Sequence, residues 1–438
     1  MRSETIVAVS TPRGVGGVAV VRLSGPLAKE LALQHLSVRT LLPRHSHYAR
    51  FSVGNSFVDE VLAVWFPSPH SYSGEDMVEF SCHGSLFVQQ AIVHALLDGG
   101  ARLAEPGEFT LRAFLNGKLN LSQAEAVADL IDSATPAQHR LAVSQLRGGY
   151  AHKLEELRQR LLDLASLLEL ELDFSQEDVE FADRTLLRQT LAELDGEVSL
   201  LVGSFSLGNA LKHGIPVAIV GRPNAGKSSL LNALLNDDRA LVSDIPGTTR
   251  DTIEESLTLS GITFRFIDTA GLRHSDDVVE SMGVERSRKA VAEADVVLYV
   301  HDATTPWQTP DLDLSAKQVI YVCNKIDLAP AASVPSPSVG LSTKTGIGLD
   351  KLKSSLVDLF SSRLADHSVL LSNERHYQAL LQVRKALEAA SQGLAVDLPS
   401  DLVAVDLRDA LYHLGTITGQ VSSDDLLSNI FSRFCIGK

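Results

Sequence analysis

The pattern of hydrophobic and polar positions changes twice along the chain. Up to about residue 118, short β-branched runs such as TIVAVS and VAVVRLSG alternate with helical stretches. One of these stretches, SLFVQQAIVHALLDGG, ends in a glycine pair suited to a helix C-terminus. From Ser122 a helical pattern follows, and Ser122 with Glu125 matches a capping box. The chain is therefore expected to begin with an α+β region and to continue with a helical one.

The helical region carries one apolar stripe. Leu154, Leu157, Leu161, Leu164 and Leu168 recur at alternating spacings of three and four, which places them on one face of a helix. Such a face can pack inside a helical bundle or against a coiled-coil partner. A stripe of this length favours the bundle.

An α/β pattern interrupts the helical region. Residues 183–213 are predicted to form another helix, and IPVAIV (215–220) is predicted to be a short buried strand. Further strands are expected near 262–267, 296–300 and 319–323, and the helical pattern returns after about 370. The simplest arrangement is an α/β domain inserted into a loop of a helical domain, which is tolerated because domain termini often lie close together.

Composition and charge narrow the functional classes. The chain has 438 residues, of which 45% are hydrophobic and 21% charged, as in soluble globular proteins. It has neither a run of ~20 apolar residues nor a secretory signal, so we expect no membrane insertion. Cys82, Cys323 and Cys435 lack metal-ligand spacing and suggest a reducing, cytoplasmic location. Because the net charge is -15, a nucleic-acid partner must meet a local basic patch or be held by another subunit.

The candidate chemistry begins with GRPNAGKS (221–228), which matches the phosphate-loop pattern G-x-x-x-x-G-K-[ST] between a predicted strand and a predicted helix. Gly221 and Gly226 let backbone N–H groups face phosphate, Lys227 can reach the β- and γ-phosphates, and Ser228 can ligate Mg²⁺. The pattern alone also fits a structural glycine-rich turn. Three further motifs favour the nucleotide site.

The second motif, DTAG (268–271), follows the apolar run ITFRFI. Asp268 stands where a carboxylate supports Mg²⁺, and Gly271 stands where a backbone N–H can sense the γ-phosphate.

The third and fourth motifs are predicted to bind the guanine base. In NKID (324–327), Asp327 can accept two hydrogen bonds from guanine that adenine does not offer, and Asn324 and Lys325 would shape and cover the base. In STK (342–344), Thr343 replaces the more common Ala but leaves a backbone contact to the base oxygen. The four motifs in this order predict a GTPase.

Two details indicate an unusual hydrolytic mechanism. Leu272 follows DTAG where Ras-type switches have a water-orienting Gln. Asn224 can offer an amide oxygen to a monovalent cation, and carbonyls near Ser243 and Ile245 in the switch DIPGTTRD could complete the coordination. A K⁺ at the phosphates could then replace an arginine finger. Asn224 could instead stabilise the turn.

Other residues beside the switches leave alternatives open. Arg250 and Arg273 could act as fingers, although surface ion pairs are the more common role of such residues. Glu280, beyond the second switch, could orient water indirectly or be a solvated helix carboxylate.

Across almost its full length the chain resembles the MnmE (TrmE) family of tRNA-modification GTPases. The resemblance rests on GGVAVVRLSG, PHSYSGEDMVEFSCHG, GEFTLRAFLNGKLNLSQAEAVADLI, DIPGTTRD, DTAGLR and the terminal CIGK. It implies a multidomain α/β fold with three parts: an N-terminal α+β folate-binding-like and dimerisation domain (1–118), a discontinuous helical domain (119–210 and 366–438), and an inserted P-loop, Ras-like G domain (211–365).

The resemblance also implies a task and partners. With an FAD- and NADH-dependent partner, MnmG (GidA), such a protein adds an aminomethyl or carboxymethylaminomethyl group to carbon five of the wobble uridine of certain tRNAs. The expected cofactors are GTP, Mg²⁺, K⁺ and a formyl or methylene tetrahydrofolate. The expected assembly is a homodimer, joined by MnmG in a heterotetramer.

By the same resemblance, specific residues acquire roles. The folate pocket would use Arg22, Glu79, Lys118 and Lys438; on chemistry alone each is an ordinary surface charge. Glu280, Lys227 and Cys435 would be catalytic, although Cys435 could equally be a buried small residue. Metal ligands would be Ser228 and Thr249 for Mg²⁺, and Asn224, Ser243, Ile245 and Thr248 for K⁺. The remaining nucleotide contacts would come from Ala225, Gly226, Ser229, Asp244, Pro246, Gly247, Asp268, Thr269, Ala270, Gly271, Asn324, Lys325, Asp327, Ser342, Thr343 and Lys344.

A second functional class shares the nucleotide motifs. A ribosome-assembly GTPase of the Era/Der type would carry an RNA-binding domain with a basic face. This chain has an acidic balance and the CIGK tail instead, and binding of formyl-tetrahydrofolate would discriminate the two.

Overall fold

The computed structural model describes residues 4–173, 184–236, 255–267, 280–308, 312–315, 317–328, 338–366 and 370–437. The strands in these ranges are β1 (Ile6–Val9), β2 (Gly16–Ser24), β3 (Ser46–Val53), β4 (Ser56–Phe66), β5 (Met77–Gly84), β6 (Arg102–Leu103), β7 (Ile215–Gly221), β8 (Glu255–Leu259), β9 (Ile262–Phe266), β10 (Val296–Asp302), β11 (Gln318–Asn324) and β12 (Ser338–Gly340). The helices are α1 (Ala28–His35), α2 (Leu86–Asp98), α3 (Glu108–Leu115), α4 (Leu121–Asp132), α5 (Pro136–Leu146), α6 (Gly149–Asp173), α7 (Arg184–Gly203), α8 (Phe205–His213), α9 (Lys227–Asn236), α10 (Glu280–Glu293), α11 (Leu349–Asp366), α12 (Glu374–Ala395), α13 (Ser400–Thr418) and α14 (Asp424–Phe431).

The chain forms two compact units, each built from separate stretches of sequence. The first comprises Met1–Ile131, Gln145–Glu169 and Leu407–Lys438, and the second comprises Asp132–Ser144 and Leu170–Asp406. The mixed α/β fold class is confirmed, and the three domain boundaries stay a prediction.

The first unit is built on a six-stranded sheet of order β3-β4-β5-β2-β1-β6. Alternate residues of β2 point to one face, where Ala19, Val21 and Leu23 are buried in a core with residues of α1 and α2. The expected end of α2 is confirmed, because Gly99 N donates to the carbonyl of Ala95.

A buried ion network fixes the start of α3. The carboxylate of Glu108 accepts from Arg102 (Nη2 to Oε1, 2.6 Å) and from Arg112 (Nη2 to Oε1, 2.9 Å). The backbone N–H of Glu105 donates to Glu108 Oε2 at 2.8 Å. Burial alone would raise the pKa of Glu108, but the hydrogen bonds from Arg102, Glu105 and Arg112 outweigh it and the pKa is lowered. The charged form of Glu108 is therefore favoured by folding.

The C-terminal residues return to the N-terminal sheet. Ser10 Oγ donates to the carbonyl of Gly437 at 3.1 Å, and Ile436 forms an antiparallel bridge with Pro106. Phe431 of α14 is buried against α4 through Leu121. Both ends of the chain therefore belong to one packed unit.

The apolar stripe of α6 faces the protein interior. Its members are at most 5% exposed, which supports the intramolecular bundle face: Leu154, Leu157, Leu161, Leu164 and Leu168. The predicted capping box is wrong, because Ser122 is the second residue of α4 and the N-terminal backbone is capped two residues earlier, where Asn120 Oδ1 accepts from Gln123 N at 2.8 Å. Ser122 donates its hydroxyl to the same Asn120 oxygen at 2.9 Å.

The second unit contains the α/β sheet, of order β12-β11-β10-β7-β9-β8. Strands β12, β11, β10, β7 and β9 are parallel to one another, and β8 is antiparallel to β9. Hydrophobic clusters cover both faces, as parallel sheets require. The single helix expected over 183–213 is two helices, separated at Ser204, whose hydroxyl accepts from Leu371 N at 3.1 Å.

Candidate functional site

The loops that follow β7, β10 and β11 lie close together because these parallel strands end at the same edge of the sheet. In the parallel register, Gly221 of β7 lies opposite Val300 of β10, and Asp302 of β10 lies opposite Asn324 of β11. Ligands of such sheets bind beyond the carboxyl ends of the strands. The phosphate loop, the segment HDATT (301–305) at the end of β10, and NKID therefore lie at the same edge of the sheet.

The phosphate loop has the curled backbone that its sequence predicts. Asn224 and Gly226 take positive φ values of 60° and 93°. Lys227 is the first residue of α9, and its Nζ donates to the carbonyls of Gly221 (2.9 Å) and Arg222 (2.8 Å). Burial lowers the pKa of Lys227. Ser228 and Ser229 follow in the first turn of α9, so hydroxyls and the helix N-terminus lie at the loop.

Asn324 joins the phosphate loop to the two loops predicted to hold the base, NKID (324–327) and STK (342–344), which are called the base loops below. Its Nδ2 donates to the carbonyl of Ala225 at 3.0 Å, and its Oδ1 accepts from the backbone N–H groups of Lys325 (2.8 Å) and Thr343 (3.2 Å). Asn324 is fully buried. Two of these hydrogen bonds, to Ala225 and from Thr343, link Asn324 to loops that are distant in sequence, and the third, from Lys325, lies within its own loop.

Lys325 makes a second link between the loops. Its Nζ donates to the carbonyl of Asn224 at 2.8 Å and to Asp302 Oδ2 at 2.6 Å. Asp302 is partly buried, which raises its pKa, but hydrogen bonds from Lys325 and Thr304 outweigh this and the pKa is lowered. Asp302 was not among the residues predicted from the sequence. The signal available in the sequence was a carboxylate at the end of β10, which is the strand next to β11, and β11 leads into NKID.

The carboxylate predicted to recognise the base is accessible to solvent. Asp327 is exposed, three residues after the buried Asn324. Ser342 is buried, and its Oγ accepts from Thr345 N at 3.2 Å, which fixes the STK turn beside Thr343. Lys344 extends from the same turn and is exposed.

Several predicted site residues lie outside the described side chains. These are Ser243, Asp244, Ile245, Pro246, Gly247, Thr248, Thr249, Asp268, Thr269, Ala270, Gly271, Glu280 and Lys438. Their roles stay predictions, as do those of Leu272, Arg250 and Arg273.

In the first unit, two of the residues assigned to folate face each other across strands. Arg22 of β2 lies opposite Glu79 of β5, and its Nε and Nη2 both contact Glu79 Oε1, at 2.9 and 2.8 Å. The guanidinium also lies over the rings of Tyr72 (5.1 Å) and Phe109 (5.5 Å). Because Arg22 uses one carboxylate oxygen, Glu79 Oε2 can accept from a ligand beside two aromatic rings. Neither ring was predicted from the sequence to belong to this site.

Lys118 and Cys435 lie on other segments of this unit. Lys118 Nζ donates to the carbonyl of Pro69 at 3.1 Å, three residues before Tyr72. Cys435 is exposed, and its carbonyl accepts from Gly107 N at 3.4 Å, two residues before Phe109. Within the described residues, no hydrogen bond or ion pair joins Lys118 or Cys435 to the Arg22–Glu79 pair.

No helix in the described ranges has the length and apolar character needed to cross a membrane.

Comparisons with known proteins cover the whole chain. The family model "MnmE helical domain" matches residues 121–435, and "GTP-binding protein TrmE N-terminus" matches residues 5–118. The tRNA modification GTPase MnmE of Cytophaga hutchinsonii is 45% identical over 451 residues, which cover 100% of this chain and 98% of that protein. The MnmE of Flavobacterium johnsoniae is 45% identical over 465 residues, with 100% of both chains covered. Among solved structures, the G domain of the T. maritima FeoB iron transporter is 30% identical and covers 33% of this chain and 97% of that chain, with a TM-score of 0.24.

Proposed function

The chain belongs to the MnmE family of tRNA modification GTPases, and from that membership we propose that its GTP hydrolysis is stimulated by K⁺ and serves wobble-uridine modification. The observation that carries the nucleotide part is Asn324, which hydrogen-bonds the phosphate loop and both base loops. The proposed product carries an aminomethyl or carboxymethylaminomethyl group at carbon five of uridine. The proposed location is the cytoplasm.

The residues of the phosphate loop fit a triphosphate with Mg²⁺. Lys227 Nζ lies over the loop carbonyls, and Ser228 presents its hydroxyl in the first turn of α9. A bound Mg²⁺ would neutralise charge on the β- and γ-phosphates. Ser228 and Thr249 would hold it, while Lys227 and the backbone N–H groups of the loop would orient the phosphates. We assign guanine selectivity to Asp327, whose carboxylate is exposed at the base loop.

The proposed K⁺ site has one described side-chain ligand. Asn224 is exposed and is held in a left-handed conformation, with its carbonyl fixed by Lys325 Nζ. That contact leaves the side-chain amide oxygen of Asn224 as the donor for a cation, completed by carbonyls at Ser243, Ile245 and Thr248. A monovalent cation there would supply positive charge to the phosphates, and Glu280 would position water.

The proposed folate donor, a formyl or methylene tetrahydrofolate, fits the Arg22–Glu79 cluster. A pterin offers a flat ring and hydrogen-bond donors, and the cluster offers Tyr72, Phe109 and a carboxylate oxygen. A folate also carries a glutamate tail, which suits Lys118, Lys438 or Arg22. We assign Cys435 to a folate-proximal position.

The proposed assembly is a homodimer through residues 1 to about 118, joined by the FAD-dependent MnmG (GidA) in a heterotetramer. A partner G domain that packs on the switch segments and binds their ordered state more tightly would favour hydrolysis by population shift.

The test of the proposed function uses the full-length protein. GTP turnover is measured in KCl and in NaCl at equal ionic strength, with Asn224→Ala as the site variant and Asn429→Ala, on α14, as the matched control. We expect faster turnover in K⁺, lost in Asn224→Ala and kept in Asn429→Ala. A K⁺ dependence that persists in Asn224→Ala places the cation elsewhere. Binding of formyl-tetrahydrofolate, weakened by Glu79→Gln, separates this function from an Era/Der-type switch, which should not bind it.

A further inference from the structure

The two carboxylate oxygens of Asp302 accept hydrogen bonds from different residues. Oδ1 accepts from the backbone N–H of Thr304 at 2.9 Å and from its hydroxyl at 2.7 Å. Oδ2 accepts from Lys325 Nζ at 2.6 Å. The Asp302 side chain is 16% exposed and the Lys325 side chain is 31% exposed. The turn with Thr304 therefore fixes the carboxylate in the orientation that meets the lysine.

The ammonium of Lys325 bridges two loops. Besides Asp302, it contacts the carbonyl of Asn224 in the phosphate loop at 2.8 Å. Lys325 and Asn224 both take positive φ values, of 66° and 60°, which residues with a side chain rarely adopt. Contacts from outside a loop are needed to maintain such conformations, and the bridge supplies one to both residues.

We propose that Asp302 is a positioning residue of the guanine-nucleotide site, which acts through Lys325. The carboxylate holds the ammonium on the Asn224 carbonyl, so the base loop and the phosphate loop are already aligned when a guanine nucleotide arrives. Without this acceptor, the lysine chain is free to turn to water, and the nucleotide must order it on binding. Preorganisation of this kind raises affinity by removing that cost.

Asp302→Asn is the discriminating variant. The amide retains Oδ1 for the turn with Thr304 and replaces Oδ2 by an NH₂ group, which cannot accept from an ammonium. We expect the Kd of a fluorescent GDP analogue to rise about tenfold, mainly through faster dissociation. At saturating GTP the turnover rate stays within twofold of the wild type, whereas KM rises. Unchanged affinity in Asp302→Asn overturns the proposal.

Asp313 provides a matched control. Its Oδ1 accepts from the backbone N–H and the hydroxyl of Ser315, at 3.1 and 2.6 Å, which is the same turn that Asp302 makes with Thr304. Among the described residues no cation contacts Asp313. Asp313→Asn should leave the Kd unchanged, and a tenfold rise there would show that the effect is not specific to the bridge.

Two further variants separate positioning from a structural role. In a Lys325→Ala background, Asp302→Asn should add less than a twofold change in Kd, because the group it positions is gone. An undiminished tenfold loss in that background overturns the proposal. Thr304→Ala removes one donor to Oδ1 and leaves the ion pair intact, so its Kd should stay within threefold. A tenfold loss in Thr304→Ala would assign the effect to the turn and reject the role of Lys325.

Discussion

Replacement of Gly226 by alanine probes the junction at Asn324 directly. Gly226 has a φ of +93°, and a Cβ built there lies 2.2 Å from Asn324 Nδ2. Non-bonded heavy atoms pack at roughly 3.5 Å, so the Asn324 side chain or the phosphate loop must retreat by about 1 Å. Because Asn324 is fully buried and bonded on both ends of its amide, a retreat breaks hydrogen bonds.

The size of the effect follows from those bonds. Each of the three hydrogen bonds of Asn324 contributes about 0.5–1.5 kcal/mol, so loss of all three costs about 1.5–4.5 kcal/mol in the loop arrangement that the nucleotide needs. That corresponds to roughly a 10- to 1,000-fold rise in the Kd for GDP. The left-handed backbone adds about 1–2 kcal/mol to the loss of folding stability.

The measurement combines GDP titration with urea unfolding. Gly100→Ala isolates the backbone cost, since Gly100 has a φ of +105° and no described heavy atom within 4 Å of its Cβ position. Gly196→Ala, inside α7 and equally open, should stabilise the protein by about 0.5–1 kcal/mol. Both controls should bind GDP normally. If Gly226→Ala also binds GDP like the wild type, Asn324 does not link the loops in the way the contacts indicate.

Three other outcomes test separate parts of the molecule. Because the pKa of Glu108 is lowered by folding, its charged form stabilises the protein above its ordinary pKa of about 4.5, and this stabilisation is lost as the pH falls through the pKa of the folded state. In urea unfolding between pH 7 and below 4, the free energy of unfolding should fall more steeply with pH for the wild type than for Glu108→Gln. Equal pH dependences of the two proteins would contradict this. Leu161→Ala, at a site 1% exposed, should cost about 2–5 kcal/mol in unfolding free energy, whereas Leu167→Ala on the same helix, 37% exposed, should cost under about 0.5 kcal/mol; similar losses would show that the stripe is not the packed face. Asp327→Asn should shift preference from GTP toward XTP in competition binding, and an unaltered preference would reject its role in base recognition.

The positions of the phosphate loop and NKID in the fold were predictable because these motifs are contiguous and follow buried strands. The phosphate loop and NKID could be placed from β7 and β11, which form within one residue of their expected bounds, whereas β12, the strand before STK, was not predicted. Asp302 also ends β10, a predicted strand, but its contact with Lys325 could not be predicted in this way. Its partner Lys325 is distant in sequence, and only the register of β10 against β11 brings the two together.

The first unit was less predictable from residues alone. Arg22 and Glu79 were assigned through family resemblance, and their contact depends on the pairing of β2 with β5, which no local pattern specifies. Tyr72 and Phe109 were not predicted because isolated aromatic residues in a sequence usually indicate residues of a hydrophobic core. The start of α4 was misjudged because Ser122 and Asn120 are both good capping residues, and the chain uses Asn120.

The return of Gly437 and Ile436 to the N-terminal sheet has a consequence for biosynthesis. The first unit needs Leu407–Lys438, yet residues 132–406, of which only Gln145–Glu169 belong to this unit, must be translated between its first and last parts. At ~5–20 residues per second, the ribosome takes roughly 15–55 s to cross that interval. During this time Pro106 lacks its bridge to Ile436, and Leu121 lacks its packing against Phe431. A nascent chain of this protein therefore has an incomplete first unit until residues 407–437 have been synthesised, and a chaperone that attends it should engage that unit during this interval.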